Sequence, residues 1–218
     1  MEKVMTDKPF AGWQSPCQAG WLGSFVAAFI HDQKNLFIST CRPLRPRHLE
    51  LMAPHFKAVD LERALFRNIY PDRVANPAFY AGLQAVGFAC LPDFGWRRAS
   101  TFDTVIVTHE PLTPAMLFHE LVHVVQYRLL GVEGFATTYV QALLAGDSYG
   151  FTRLEACADA MEERFLRGSG PIDVEREVKQ WLAADRPVEA TRVLAGGISW
   201  HGVDTDISTG MSRRSSIS

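Results

Sequence analysis

The segment from Thr113 to Gly131 constrains this chain more than any other. Between its ends only Glu120 and Arg128 carry a formal charge, and apolar residues recur around the whole helical circumference. A helix of that kind has no solvent face and belongs in the middle of a domain. Its limits are written locally. Thr113 is a good N-cap, Pro114 suits the first helical position, and Gly131 is a good C-terminal stop. The rest of the chain must supply layers on every side of it. A length of 218 residues, 47% hydrophobic and 21% charged, is enough for one substantial domain that does so.

The covering elements are mostly helical. Trp21–Gln33 reads as a helix, and Cys41–Arg47, rich in Pro and Arg, as a turn or loop. His48–Tyr70 has helical spacing, with Pro54 breaking or kinking it. Asn76 and Pro77 read as N-cap and first turn of a helix ending near Gly87, followed by a loop over Leu91–Arg98. Thr104–Thr108 is rich in β-branched residues and is the best strand in the sequence. Further helices are expected over Gly134–Leu144, Thr152–Leu166 (rich in acids) and Ile172–Ala184, the last polar and peripheral. The fold class expected is α+β, mainly helical. Residues 1–19 read as an irregular lead-in, 20–203 as a single domain, and 204–218 as a disordered tail rich in Ser, Thr and Gly.

Composition removes several function classes. A net charge of -2 gives no electrostatic case for nucleic acid or an anionic membrane surface. No stretch reaches the roughly 18 apolar residues of a membrane span. Trp21–Ile30 lacks the flanks of a signal peptide. The four cysteines (Cys17, Cys41, Cys90, Cys157) form no C-x-x-C pair and are expected as reduced thiols in a cytoplasmic protein.

Inside the central helix lies His119-Glu120-Leu121-Val122-His123, an H-E-x-x-H pattern. Four helical residues turn through about 400° and rise about 6 Å. Both imidazoles therefore leave one face and can converge on one ion. Zinc suits neutral nitrogen and carboxylate ligands. Glu120 points to one side, better placed for a metal-bound water than for the metal, which is the position of a general base. Burying these three groups together without a metal would be costly.

A third protein ligand is needed. The metzincin continuation would require Gly and His at positions 126 and 129, which hold Gln126 and Leu129, so that class is excluded. A Glu on a later helix is the other common solution. Glu155, opening the acidic helix, is the choice, with Glu162 and Glu163 as alternatives. Asp159, one turn on, can accept a hydrogen bond from a ligating histidine, and Gln126 can serve as a similar support.

The run from Leu91-Pro92-Asp93-Phe94 through Thr104–Val107, His119–Tyr127 and Ser148-Tyr149 to Leu154-Glu155 resembles the minimal gluzincins, compact zinc metallopeptidases many of which have no assigned function. The resemblance covers about residues 75–166. It implies a zincin-like fold with a strand beside the active-site helix and a downstream helix carrying the Glu ligand. It implies zinc on His119, His123 and Glu155, with Glu120 as base, and a peptide or protein substrate. On that reading an extended peptide pairs with the 104–108 strand. The oxyanion donor comes from Tyr149, or else from His109 or His201. The rival readings are a non-catalytic zinc-binding interaction protein, closed by Cys157 or His109 as fourth ligand, a di-iron bundle built on Glu120-x-x-His123, and a zinc hydrolase of non-peptide substrates.

Overall fold

A computed structural model of the chain describes residues 16–86, 91–144 and 153–184. These form seven helices and four short strands: α1 Pro16–Ile38, β1 Arg42–Pro43, α2 Pro46–Met52, α3 Ala58–Arg63, β2 Leu65–Asn68, α4 Tyr80–Ala85, β3 Ala99–Phe102, β4 Val105–Thr108, α5 Pro114–Leu144, α6 Arg153–Leu166 and α7 Val174–Ala183. The architecture is mainly helical with one small mixed sheet, an α+β fold. Among the described residues no helix is long and apolar enough to cross a membrane. The expected tail at 204–218, most of the 1–19 lead-in, Tyr149, His201 and Cys90 lie outside the described residues.

The sheet has the order β1-β2-β4-β3. β4 runs parallel to β2 and antiparallel to β3. Its alternation explains its place. Val105 and Val107 point into one apolar cluster and Ile106 into the other, so both faces are covered and the strand is buried throughout. The tight β3–β4 connection turns at Asp103, a non-glycine residue at φ 57°. Its carboxylate is held by Lys34 (2.6 Å) and Arg63 (3.3 Å), which tie the turn to α1 and α3.

α5 is the spine. Thr113 Oγ1 accepts from the Met116 N–H at 3.2 Å, capping its start. At Gly131 the backbone takes φ 70°, ψ 169°, and the helix breaks into two segments before running on to Leu144. That conformation is open to glycine and strained for any residue with a Cβ. The segment before the break packs with α2, α3, α6 and α7, and the segment after it joins α1 on the other side.

Three expectations are corrected. His48–Tyr70 is not one kinked helix: it divides into α2, α3 and strand β2, whose Leu65–Asn68 pair with all of β4. Asn76 does not cap a helix. Its side chain accepts from the Phe94 N–H (2.8 Å) and donates to Asp93 (3.1 Å), pinning the 91–98 loop, and α4 starts only at Tyr80. α7 is amphipathic, not merely peripheral, with Val174 and Val178 fully buried against α5 and α6.

Candidate metal centre

His119 and His123 leave the same side of α5, and α6 brings Glu155 against them. The ligand-capable atoms form a nearly equilateral triangle: His119 Nε2 to His123 Nε2 3.1 Å, His119 Nε2 to Glu155 Oε2 3.4 Å, and His123 Nε2 to Glu155 Oε2 3.5 Å. Metal–ligand bonds of about 2.0–2.1 Å at tetrahedral angles place ligand atoms about 3.3 Å apart. The three groups therefore sit at the spacing one divalent cation requires, and all three are largely buried.

The far side of each ring decides its tautomer. Gln126 Nε2 donates to the Leu154 carbonyl (2.9 Å), which leaves Gln126 Oε1 facing His123 Nδ1 at 2.8 Å. An amide oxygen only accepts, so His123 carries its proton on Nδ1. Glu162 Oε2 lies 3.0 Å from His119 Nδ1 and Asp159 Oδ1 lies 3.4 Å away, so His119 donates there as well. Both Nε2 atoms then face the same point, an arrangement that a cation between them would satisfy. Burial opposes charge on His119. Hydrogen bonds to Glu155 and Glu162 and the charge of Glu120 outweigh it and lift its pKa well above the usual imidazole value. A proton can thus stand where a metal ion would.

Glu155 is opposed by burial too. The charge of Arg97 and the two histidines nevertheless hold its carboxyl well below the usual range. Arg97 Nη2 sits 3.2 Å from Glu155 Oε1, so one carboxylate oxygen is engaged by the guanidinium and the other faces the histidines. Arg97 itself follows a short 3-10 turn at Phe94–Trp96, and its carbonyl accepts from His109 Nδ1. His109 Nε2 accepts from the Val74 N–H at 3.2 Å. Fully buried and engaged at both nitrogens, His109 is a buttress of the Arg97 loop, neither an oxyanion donor nor a fourth ligand.

Glu120 is buried beside this triangle. Thr101 Oγ1 from β3 donates to its Oε2 at 2.7 Å and fixes the carboxylate. The Tyr127 hydroxyl donates to the Thr101 carbonyl (3.2 Å), and its ring stacks on Phe135 with centroids 3.9 Å apart. Cys157 does not join the ligand set: its sulfur is not grouped with the His119, His123 and Glu155 atoms, and burial pushes its thiol up to about 12. Glu162 supports His119 rather than replacing Glu155, and Glu163 pairs with Arg167 on the surface. Among the described residues no fourth His, Cys, Asp or Glu joins the triangle.

Arg97, Thr101 and Ser100 were not singled out from the sequence. They come from a loop and a strand, where no spacing rule links them to a helix later in the chain. A cavity of about 60 Å³ is lined by Glu120, His123 and Glu155 together with Val26, Phe29 and Phe102.

Comparison with known proteins gives no match: no protein-family model, no curated protein and no solved structure matches this chain.

Proposed function

We propose that this protein is a zinc-dependent hydrolase of amide bonds on a zincin-like scaffold, with His119, His123 and Glu155 as ligands and Glu120 as general base. The observation that carries the reading is the ligand triangle of 3.1–3.5 Å with both Nδ1 atoms committed elsewhere. Two nitrogens and one carboxylate oxygen form a donor set suited to zinc, and three protein ligands with an open position are the pattern of catalytic rather than structural zinc sites. The H-E-x-x-H spacing and the resemblance to minimal gluzincins support the same reading.

Zinc, when bound, supplies a Lewis acid that acidifies water to a pKa of about 7 and polarises an acyl oxygen. The chain's residues do the rest. Glu120, its Oε2 fixed by Thr101, takes the proton from the attacking water and delivers it to the leaving nitrogen. The water oxygen ends on the acyl carbon as the C–N bond breaks, giving a carboxylic acid and an amine. Arg97 keeps Glu155 turned towards the histidines. Gln126 and Glu162 engage the two Nδ1 atoms, so that each Nε2 is the ring nitrogen turned towards the ion.

Purified protein prepared without chelators should contain about one zinc per chain. Glu120→Gln should retain the metal and lose hydrolysis of amide substrates by at least about 10²-fold. Absence of stoichiometric metal would defeat the reading at its root. Equal activity in wild type and Glu120→Gln would remove the general-base role.

A further inference from the structure

Resting on that reading, we infer that the cavity beside His123 and Glu155 takes the short apolar chain of an acyl group, about two or three carbons beyond the carbonyl, so that the substrates are short-chain acyl amides rather than extended polypeptides.

Size comes first. The cavity measures about 60 Å³. An apolar protein cavity of about 150 Å³ holds a six-carbon ring, so in proportion this one holds two or three carbons. Chemistry comes next. Most of its lining is hydrocarbon and aromatic, from α1 (Val26, Phe29, Ile30), the 3-10 turn (Phe94), β3 (Phe102) and the second segment of α5 (Phe135). Glu120, His123, Glu155 and Arg97 line it too. An acyl chain lodged among the apolar residues would lie in the same cavity as the reacting groups.

The third observation is Ser100. It is 4% exposed and lines the cavity, and its hydroxyl has no hydrogen-bond partner among the described residues. A buried hydroxyl without a partner is costly, and the amide of a substrate held there would satisfy it.

The fourth concerns what cannot reach the site. An extended peptide binds a zincin-like site by adding to a sheet edge. The strand expected to offer that edge, β4, is enclosed between β2 and β3. The edge strand itself, β3, has all four residues buried. α1 and α5 pack on it, and the Thr101 carbonyl is occupied by the Tyr127 hydroxyl. A small molecule needs no such edge.

The test is calorimetry on the full-length zinc-loaded protein with hydroxamates, which bind zinc whether or not turnover occurs. The probes are acetohydroxamate, isobutyrohydroxamate and a hexa-alanine hydroxamate. Isobutyrohydroxamate should bind roughly tenfold tighter than acetohydroxamate, the gain expected when a pocket accepts extra carbons. The hexapeptide should bind no tighter than acetohydroxamate. Ile30→Trp, which fills the cavity from α1, should abolish the isobutyryl advantage at unchanged zinc content, and the wild-type series decides the matter even if that variant does not fold. Tightest binding by the hexapeptide, no dependence on the acyl group, or no hydroxamate binding by zinc-loaded protein would overturn the inference. Hydroxamate preference in the predicted order, with no turnover of isobutyryl amides, would instead remove the hydrolase reading and leave the pocket standing.

Discussion

Gln126 spans the two helices that make the site. Its amide nitrogen holds the Leu154 carbonyl at the start of α6, and its oxygen takes the Nδ1 proton of His123. One side chain therefore both docks the element carrying Glu155 and sets the tautomer of a neighbouring ligand. Gln126→Leu keeps the size and removes both bonds. It should weaken zinc binding by about 10–100-fold, the usual effect of losing a partner that orients a ligand. Competition with a chromophoric chelator measures this, and unchanged affinity would show that the bond to His123 is incidental. Local spacing makes some of these residues readable and others not. His119 and His123 are four apart on one helix, so their convergence follows from helical geometry alone. Gln126, three residues after His123, is readable for the same reason. Glu155 is reachable only by asking which later helix carries acids. Arg97, Thr101 and Ser100 approach from a turn and an edge strand, and nothing in their own neighbourhoods marks them.

At the scale of elements, the same contrast holds. α5 was legible because its cap, its all-round apolar surface and its glycine break are all local features. β4 was legible because three consecutive β-branched residues serve clusters on opposite faces. β2 was not, because Leu65–Asn68 follow directly on α3 with apolar residues at helical spacing. Only pairing with β4, distant in sequence, makes them a strand. α3, α5 and α7 are joined by a charge network that the sequence hides for the same reason. Arg128 on α5 meets Asp60 (2.5 and 3.0 Å) and Glu175 (2.6 Å), and Glu175 also takes Lys179 and Lys57. Lys179, then Lys57 and Arg128, depress the Glu175 carboxyl to about 2. A carboxyl whose folded pKa lies below its unfolded value stabilises fully above the unfolded value. It loses that contribution as pH falls towards the folded one. Here the window runs from about 4.5 down to about 2. Glu175→Gln should cost about 1–2 kcal/mol at neutral pH. It should also flatten the loss of stability across that window. Urea midpoints taken at pH 7, 4.5 and 3 give the comparison, and parallel pH profiles in the two proteins would show that Glu175 is not a linked group.

For the whole molecule, the candidate metal centre lies on the seam between two hydrophobic cores. Tyr127 and Leu154 belong to the cluster under α1, whereas Val122, Cys157 and Ala158 belong to the cluster under α2, α3 and α7. His123 and Glu155 fall between these residues along their helices. A cation held there would do more than complete a site: it would replace the proton between the two rings and fasten α6 to α5 where the cores meet. Ligand that binds only the folded chain stabilises it by mass action, about 2.7 kcal/mol at a free concentration a hundred times Kd. For a chain of this size that corresponds to roughly 5–10 °C in Tm. Thermal unfolding in excess zinc and in EDTA should differ by that amount in wild type, and His123→Ala should show little difference. Hydrogen exchange should localise the change. Stripping the metal should expose amides at the start of α6 before those in the middle of α5, because Leu121, Val122 and Val124 remain enclosed by the cores whether or not the ion is present. Equal Tm values with and without zinc would mean that the triangle closes on its own proton and polar partners, and that the seam needs no ion to hold.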